Sequence, residues 1–349
     1  MLAAETRAVP LPAADALKGA GSMTWKQIAE PVEPFLEAVA ARLARQVHEF
    51  DASIVPYAEY ALTGQGKQLR PALVALSAEA CGTPGDAHIT VAVIIEMVHL
   101  ATLVHDDVMD EAEIRRGRLT LGSNWGNEIA VLFGDCLFAQ ALKLAAGFPT
   151  PEICRAVAMA TKTVCSGEIL QTRQRRNFQL TEADYFKVLE MKTAELFALS
   201  CDLGAYLSGA SAERAALRSF GMALGTAYQL YDDCLDLFGS EASAGKSLGT
   251  DLAKGKLTLP VLRALRLAPT AEQVELQELI LRWDPRSIGR VLAILAGCDA
   301  LEEARGVIHQ YLQRARECVA ALPDAGRGAG LAGLTEYLGR QADVLYAAA

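Results

Sequence analysis

The sequence has little of what marks several common protein classes. Aromatic residues make up only 6% of the 349 residues, and the net charge of −9 is opposite to the basic excess typical of nucleic-acid-binding proteins. The eight cysteines are scattered, with no Cys-x-x-Cys pair and no Cys/His spacing typical of zinc sites, so we expect reduced thiols in a cytoplasmic protein. The N-terminus has no basic segment followed by a continuous apolar run, so no signal peptide is predicted.

Long uninterrupted apolar runs are missing as well. The most apolar stretch, residues 91–104, contains Glu96 and His99 and is too short to cross a bilayer. We therefore expect no membrane-spanning segment and, at most, a transient association with a membrane.

Apolar residues at helical spacing are abundant. Ala, Leu and Val dominate an apolar fraction of 52%, and Ala and Leu favour helix. From Trp25 onward the pattern predicts helices over residues 32–50, 71–80, 89–108, 128–145, 151–171, 182–208, 213–238 and 257–266. Residues 1–22 show no period and are predicted to form a mobile tail. Because no repeat and no change of composition divides the remainder, residues 23–349 are predicted to form one all-α domain.

Two segments share the pattern D-D-x-x-D at the end of a long apolar helix: Asp106, Asp107 and Asp110 in the first, and Asp232, Asp233 and Asp236 in the second. Residues four apart share a helix face, so each segment presents two carboxylates in one direction. A helix C-terminus disfavours negative charge, and two facing clusters would repel each other unless cations lay between them. We therefore predict bound Mg²⁺, which works through a few carboxylates together with substrate phosphates. A single such pattern would more simply be a solvated helix end.

Basic residues close to these clusters are candidates for phosphate binding. Lys67 and Arg70 lie around a glycine-containing turn at a predicted helix start, where backbone N–H groups also favour anions. Arg115 and Arg116 follow the first aspartate cluster closely. They either balance its charge or clamp the phosphates that the metal ions bridge, and we favour the clamp.

Other polar residues give weaker signals. Lys192 and Thr193 lie inside a predicted apolar helix, and His99 lies two turns before Asp106 on the same helix face. The glycine- and lysine-rich run at 245–256 lacks the spacing of a P-loop and follows no strand, which argues against a P-loop nucleotidase. The basic cluster at 173–176 is predicted to be a solvated loop.

Taken together, the motifs resemble those of the trans-isoprenyl diphosphate synthases, the polyprenyl synthetase family. The similarity covers roughly residues 30–340. The motifs, in the family's order, are G-K-x-x-R-P at 66–71, H-x-x-x-L-x-H-D-D at 99–107, D-D-x-x-D followed by R-R-G at 106–117, K-T at 192–193, Q-x-x-D-D-x-x-D at 229–236 and G-K-S-x-G-T-D-x-x-x-G-K at 245–256.

The resemblance implies a helical bundle around a deep central cavity, usually a homodimer, that joins isopentenyl diphosphate to an allylic diphosphate. It implies that about three Mg²⁺ ions are held by Asp106, Asp110 and Asp232, with Asp107, Asp233 and Asp236 close by. The allylic diphosphate would be contacted by Arg115, Lys192, Thr193, Gln229 and Lys246. Isopentenyl diphosphate would be held by Lys67, Arg70, His99 and Arg116.

Product length is predicted from the turns that precede Asp106. Ala101 and Thr102 are small, whereas an aromatic residue there would close the cavity, and Met97 and Val98 lie one turn deeper. The sequence here is similar to the long-chain branch that makes quinone side chains. The alternative is that Met97 or a phenylalanine of the predicted 128–145 helix closes the tunnel early and gives a short-chain synthase.

Three other functions remain as less favoured alternatives. A class I terpene cyclase would need a second metal motif of the form N/D-x-x-S/T-x-x-x-E, but counting from Asp232 gives Leu235 and Gly239 at the last two places. A non-catalytic subunit of a heteromeric synthase would tolerate loss of the aspartates, and none is lost. An HD-type phosphohydrolase needs more metal-binding histidines than the five present would supply.

Overall fold

Helices make up most of the chain for which the computed structural model gives a description, namely residues 24–63, 66–115, 117–239, 249–324 and 326–348. The tail predicted at 1–22 lies outside these residues. In chain order the helices are α1 (Trp25–Ala29), α2 (Glu33–Arg45), α3 (Val55–Leu62), α4 (Leu69–Cys81), α5 (Asp86–Met109), α6 (Leu121–Trp125), α7 (Asn127–Ala146), α8 (Glu152–Arg173), α9 (Glu182–Leu189), α10 (Glu195–Leu207), α11 (Arg214–Phe238), α12 (Thr250–Ala253), α13 (Leu259–Leu267), α14 (Thr270–Leu281), α15 (Ile288–Ala296), α16 (Ala300–Ala320) and α17 (Ala329–Ala348).

The remaining elements are short. Single 3₁₀ turns cover Glu30–Val32, Gln46–Glu49 and Pro285–Ser287, and a π-helical segment, Glu190–Ala194, joins α9 to α10. An antiparallel hairpin pairs β1 (Ile114–Arg115) with β2 (Arg118–Leu119). The predicted all-α fold is confirmed, and most predicted helix limits agree with the observed ones to within about a turn. The hairpin and the π segment were not predicted.

The core lies where α5, α10 and α11 pass through the molecule. Helix α5 packs against α4 and α7, α10 packs against α4 and α11, and α11 packs in turn against α16. Small residues let these helices approach closely: a Cβ atom on Gly225 of α11 would lie 2.7 Å from the Cα atom of Ala194. One hydrophobic cluster extends from Ile28 in α1 to Leu345 in α17.

Two helices within the described residues, α5 and α7, are long and apolar enough to cross a membrane by length and composition alone. The prediction that the apolar run at 91–104 is too short is therefore wrong, because it belongs to a helix of 24 residues. Helix α5 is nevertheless a core helix, since Val91 to Ile95 are completely buried among its neighbours. Helix α7 keeps an exposed apolar face.

The N-terminus of α5 is held by a buried histidine whose pKa makes stability depend on pH. The His88 Nδ1 atom accepts a hydrogen bond from the Gly85 N–H at 3.0 Å, so Nε2 carries the proton and donates to the Gly204 carbonyl oxygen at 3.2 Å. Burial lowers the pKa of His88 below its usual value of 6.5, although the bond to Gly204 opposes this shift. Protonation of His88 would place a second proton on Nδ1, so that this N–H would face the Gly85 N–H and the hydrogen bond would be lost.

We therefore expect acid to destabilise the fold through His88. Unfolded protein takes up this proton first, so the stability that neutral His88 contributes is present above pH 6.5 and is lost as pH falls towards the folded-state pKa. The loss has a slope of up to about 1.4 kcal/mol per pH unit. Urea unfolding between pH 7.5 and 5 should show a shallower slope in His88→Gln and an unchanged slope in His48→Gln, which alters an exposed histidine. Equal slopes in His88→Gln and wild type would contradict this assignment.

Candidate active site

The two aspartate clusters lie at the C-terminal ends of α5 and α11. Asp106 and Asp107 belong to the last turn of α5 and Asp110 caps it, while the second cluster lies in the last two turns of α11. Asp106 and Asp110 are mostly buried, with 17% and 12% of their side chains exposed. Carboxylates in this setting are disfavoured by both burial and the helix dipole. Their surroundings must therefore supply compensating positive charge.

Lys192 supplies that charge at Asp106. Its Nζ atom lies 3.4 Å from Asp106 Oδ2, pairs with Glu168, and donates a hydrogen bond to Gln171 Oε1 at 2.9 Å. Burial raises the pKa of Asp106, and Lys192 opposes the shift. Burial alone would lower the pKa of Lys192, but Asp106 and Glu168 outweigh it and raise that pKa. The ammonium group is thus a fixed positive charge at neutral pH.

The π segment that carries Lys192 sits directly on α8. A Cβ atom on Gly167 would lie 2.9 Å from the Lys192 backbone nitrogen and from Met191 Cβ, so only glycine permits this contact. Segments of π-helix commonly occur at functional sites. Here the segment turns Lys192 towards α5 and the neighbouring Thr193 towards α11.

A hydrogen-bonded chain connects the π segment to the second aspartate cluster. The Thr193 hydroxyl donates to Gln229 Oε1 at 2.8 Å, Gln229 Nε2 donates to Asp233 Oδ1 at 2.8 Å, and the Tyr185 hydroxyl donates to Asp233 Oδ2. Burial raises the pKa of Asp233, and Asp251 adds to the shift. Lys192 and Thr193 therefore join the two clusters, with Asp232 partly exposed beside Asp233.

Three cations surround Asp110. Arg175 Nη2 donates to Asp110 Oδ1 at 2.9 Å, and the Nζ atoms of Lys254 and Lys256 each lie 3.0 Å from Oδ2. Burial on its own would raise the pKa of Asp110, but Lys256 and Lys254 outweigh it and hold that pKa at about 2. The prediction of a solvated loop at 173–176 is thus wrong for Arg175, because this side chain points into the site and is 24% exposed.

Asp236 has a different role from the other aspartates. It is completely buried, and its carboxylate accepts hydrogen bonds from the Thr250 hydroxyl at 2.6 Å and the Asp251 N–H at 3.0 Å. These bonds fix the start of α12, the short helix that leads into Lys254 and Lys256. Asp236 therefore positions the loop whose lysines reach Asp110.

The hairpin places a further cation, Arg115, beside the C-terminal end of α5. Arg115 in β1 donates from Nε to Asp107 Oδ1 at 2.7 Å. Burial raises the pKa of Asp107, and Arg115 opposes the shift. Arg118 in β2 stacks 4.1 Å above the ring of Tyr60 instead of facing the aspartates. Of the other predicted cations, Arg116 and Lys246 lie outside the described residues.

The residues predicted for isopentenyl diphosphate lie where α4 begins beside α5. Arg70 in the first turn of α4 lies 5.1 Å from the ring centre of Phe197, and Lys67 is exposed just before the helix. A cavity of about 150 Å³ is lined by Gly66 and Gln68 on one side and by Glu96 and Leu100 of α5 on the other. That turn of α5 also carries His99. The cavity is thus lined by chain neighbours of Lys67, Arg70 and His99, and the convergence of these three side chains on one substrate stays a prediction.

The predicted chain-length residues lie on two rows of α5. His105 lies against Gly134 of α7, where an added Cβ atom would be 2.2 Å from its Nε2 atom, so the row of Met97, Ala101 and His105 faces α7. The row of Val98 and Thr102 leads to Asp106. Met97, Val98 and Ala101 are almost completely buried, and Thr102 is partly exposed.

The donors present suit a hard divalent cation that arrives with phosphate. Asp106, Asp110 and Asp232 offer only oxygen atoms, which Mg²⁺ prefers. In the described part of the chain, no three His, Cys, Asp or Glu side chains converge closely enough to hold a metal ion by themselves. Mg²⁺ usually completes its coordination with water and substrate phosphates, so the set fits Mg²⁺ bound together with a diphosphate.

Sequence reasoning missed one wall of the site. Glu168, Gln171 and Arg175 come from α8 and the residues just after it, and they reach Lys192 and Asp110. Their spacing of three and four residues puts them on one helix face, a signal that was available in the sequence. Tyr185, which binds Asp233, was also missed.

Comparison with known proteins gives matches of one kind over most of the chain. A family model described as polyprenyl synthetase matches residues 52–296. The chain is 34% identical to octaprenyl diphosphate synthase from Haemophilus influenzae, over 87% of the chain and 93% of that protein. It is also 34% identical to a short chain isoprenyl diphosphate synthase from Methanothermobacter thermautotrophicus, over 80% of the chain and 88% of that protein. A crystal structure of polyprenyl synthase from Caulobacter crescentus, complexed with calcium and isoprenyl diphosphate, superimposes with a TM-score of 0.85 at 31% identity, covering 93% of this chain and all of that one (100%).

Proposed function

The chain belongs to the polyprenyl synthetase family, and we propose that it joins isopentenyl diphosphate to an allylic diphosphate, releasing diphosphate and giving a trans-polyprenyl diphosphate. It is a prenyltransferase. The observation that carries the proposal is the pairing of two aspartate clusters, at the ends of α5 and α11, through Lys192 and the Thr193–Gln229 hydrogen bond. A site with both carboxylates and fixed cations suits a metal-bound diphosphate.

The site residues have two chemical roles: the aspartates bind metal ions, and the cations stabilise negative charge. Asp106, Asp110 and Asp232 would hold Mg²⁺, which when bound stabilises the negative charge on a departing diphosphate. Lys192 and Arg115 add fixed positive charges at the same group as the allylic C–O bond breaks. The isopentenyl double bond then attacks the allylic cation, and the proton that is lost passes to the released diphosphate. The apolar walls of α5 and α7 keep water away from the cation.

Elongation is the experiment that tests this function. Purified protein, farnesyl diphosphate and labelled isopentenyl diphosphate should give a ladder of longer products with Mg²⁺ and none with excess EDTA. A hydrocarbon or alcohol formed without isopentenyl incorporation would instead indicate a terpene cyclase. No turnover with any allylic primer would support a non-catalytic subunit of a heteromeric synthase.

We further propose a long-chain product, because Ala101 and Thr102, about one turn before Asp106, have small side chains. One helical turn of about 5.4 Å is comparable in length to an isoprene unit. Relatives named for long and for short products match the chain at the same identity of 34%, so overall similarity does not decide the length. The argument therefore depends on Thr102 and Ala101.

Thr102→Tyr should shorten the product to farnesyl or geranylgeranyl length while wild type continues beyond it. Thr102 precedes Asp106 by one turn on the same row, so a ring there would meet the growing chain early. Ala101 is fully buried in the row that faces α7, where a ring would also overpack the helix contact, at a cost of about 1–3 kcal/mol. Thin-layer chromatography of dephosphorylated products measures the length, and Ala271→Tyr at an exposed alanine of α14 is the control. An unchanged ladder in Thr102→Tyr would rule out this path.

We propose that the protein is a homodimer joined through α7 and α8. These neighbouring helices expose apolar side chains that the described residues leave uncovered: Val131, Leu132, Leu142, Met159 and Ile169. Exposed apolar side chains grouped on two neighbouring helices are typical of a protein–protein interface. The predicted transient membrane association would use the same surface only if it were not covered by a second subunit.

Light scattering should therefore give about twice the chain mass of 37.3 kDa. The variant Leu132→Glu/Met159→Glu should be monomeric, because two charges would be buried at the interface. Leu281→Glu, at an equally exposed leucine on α14, should remain dimeric. A monomeric wild type that becomes active only with a second protein would point to a heteromeric synthase instead.

The proposal also places the enzyme in the cytoplasm. All eight cysteines are free, including the exposed Cys165, which suits a reducing compartment. Fractionation of cells that express the tagged full chain tests this location.

A further inference from the structure

Arg175 lies outside every motif that suggested the function, yet it occupies a central position in the site. Its Nη2 atom donates to Asp110 Oδ1 at 2.9 Å, while Lys254 and Lys256 occupy Oδ2 of the same carboxylate. Both oxygen atoms of Asp110 are therefore engaged by cations. A metal ion that binds Asp110 would be repelled by these cations and would compete with them for its oxygen atoms, and Oδ1 is held by Arg175 alone.

The guanidinium group of Arg175 has a hydrogen-bond donor that is not used within the described residues. Its Nε atom is buried and has no hydrogen-bond partner among the residues that the structure describes. A buried N–H without a partner costs free energy that a bound acceptor would recover. An arginine fork matches two oxygen atoms of a phosphate group, which a lysine ammonium cannot do in the same way.

The backbone around Arg175 is fixed, so exchange of partners would involve the side chain alone. The Arg176 N–H donates to the Gly255 carbonyl oxygen at 2.7 Å, which ties the end of α8 to the loop that carries Lys254 and Lys256. The long side chain, 24% exposed, can then turn from Asp110 to a ligand beside it without moving either loop.

We propose that Arg175 is a diphosphate-binding residue that neutralises Asp110 in the empty site and passes to the diphosphate when a metal ion takes its place. The inference rests on the proposed function, because it assumes that the site receives a metal-bound diphosphate. Arg175 would then weaken the binding of a metal ion to Asp110 and strengthen the binding of the diphosphate.

Calorimetric titration with inorganic pyrophosphate, in the presence of Mg²⁺ and without any prenyl substrate, measures these effects apart from turnover. Arg175→Gln should weaken pyrophosphate binding by about tenfold to a hundredfold, the value of a charged hydrogen bond. Titration with Mg²⁺ alone should show binding to Arg175→Gln at least as tight as to wild type. Arg175→Lys, which keeps the charge but not the fork, should lie between the two for pyrophosphate. The control Arg173→Gln, at an exposed arginine two residues away, should match wild type.

Two results would overturn the inference. Pyrophosphate affinity of Arg175→Gln within twofold of wild type would show that Arg175 does not bind the ligand. Equal weakening of Mg²⁺ and pyrophosphate binding, together with a lower melting temperature, would show that Arg175 only orders Asp110. If wild type still elongates farnesyl diphosphate, either result leaves the proposed function intact. A wild type that neither elongates farnesyl diphosphate nor binds Mg²⁺-pyrophosphate would refute both the proposed function and the role of Arg175.

Discussion

Asp106→Asn should slow chain elongation by about a hundredfold to a thousandfold, because an amide cannot replace a carboxylate as a metal ligand next to the departing diphosphate. The same change should leave the fold at least as stable as in wild type. Burial raises the pKa of Asp106, which means that its charged form is costly in the folded protein. Lys192 keeps Glu168 as a partner after the substitution, so no cation is left unpaired.

Single-turnover rates and melting temperatures, measured on the same preparations, test both parts of this prediction. Asp135→Asn, at an aspartate whose side chain is 64% exposed on α7, is the matched control and should change neither quantity. A loss of activity that accompanies a lower melting temperature would mean that Asp106 is needed for the fold. Activity of Asp106→Asn within a few-fold of wild type would show that Asp106 is not a metal ligand.

The fold could be predicted well because its helices carry their own signals. The apolar period of α5 and α11, and the Gly/Pro breaks at 81–85 and 147–151, define helix limits without reference to tertiary contacts. The π segment at 190–194 could not be predicted in this way. It depends on the close approach of Gly167 to Lys192, a contact between residues that are far apart in sequence.

The site was predictable wherever a motif holds several functional residues close together. The aspartate clusters and the Lys192–Thr193 pair belong to such motifs, and the structure brings them into one network. Arg175 was assigned to a solvated loop because a basic cluster after a helix usually is one. Only the packing of that loop on Gly255 shows that its side chain turns inward.

The third aspartates of the two D-D-x-x-D motifs, Asp110 and Asp236, have different roles. The repeated D-D-x-x-D pattern suggests that both third aspartates act alike. In the structure the Asp110 carboxylate is held by the cationic side chains of the site, whereas Asp236 is completely buried and bonded to the start of α12. The difference arises from the loop that follows each helix, and the helix pattern itself contains no information about that loop.

Lys192→Gln should reduce the rate of elongation by about a hundredfold, because the departing diphosphate loses a fixed positive charge. It should also destabilise the fold, by on the order of 2 kcal/mol, since Asp106 and Glu168 would face each other without a cation between them. The double variant Lys192→Gln/Glu168→Gln separates these two effects. Removing the charge of Glu168 relieves the repulsion, so the double variant should regain most of the lost melting temperature while its single-turnover rate stays low. If activity returned together with stability, Lys192 would serve only to neutralise Glu168, and the positive charge at the diphosphate would have to come from other residues such as Arg115.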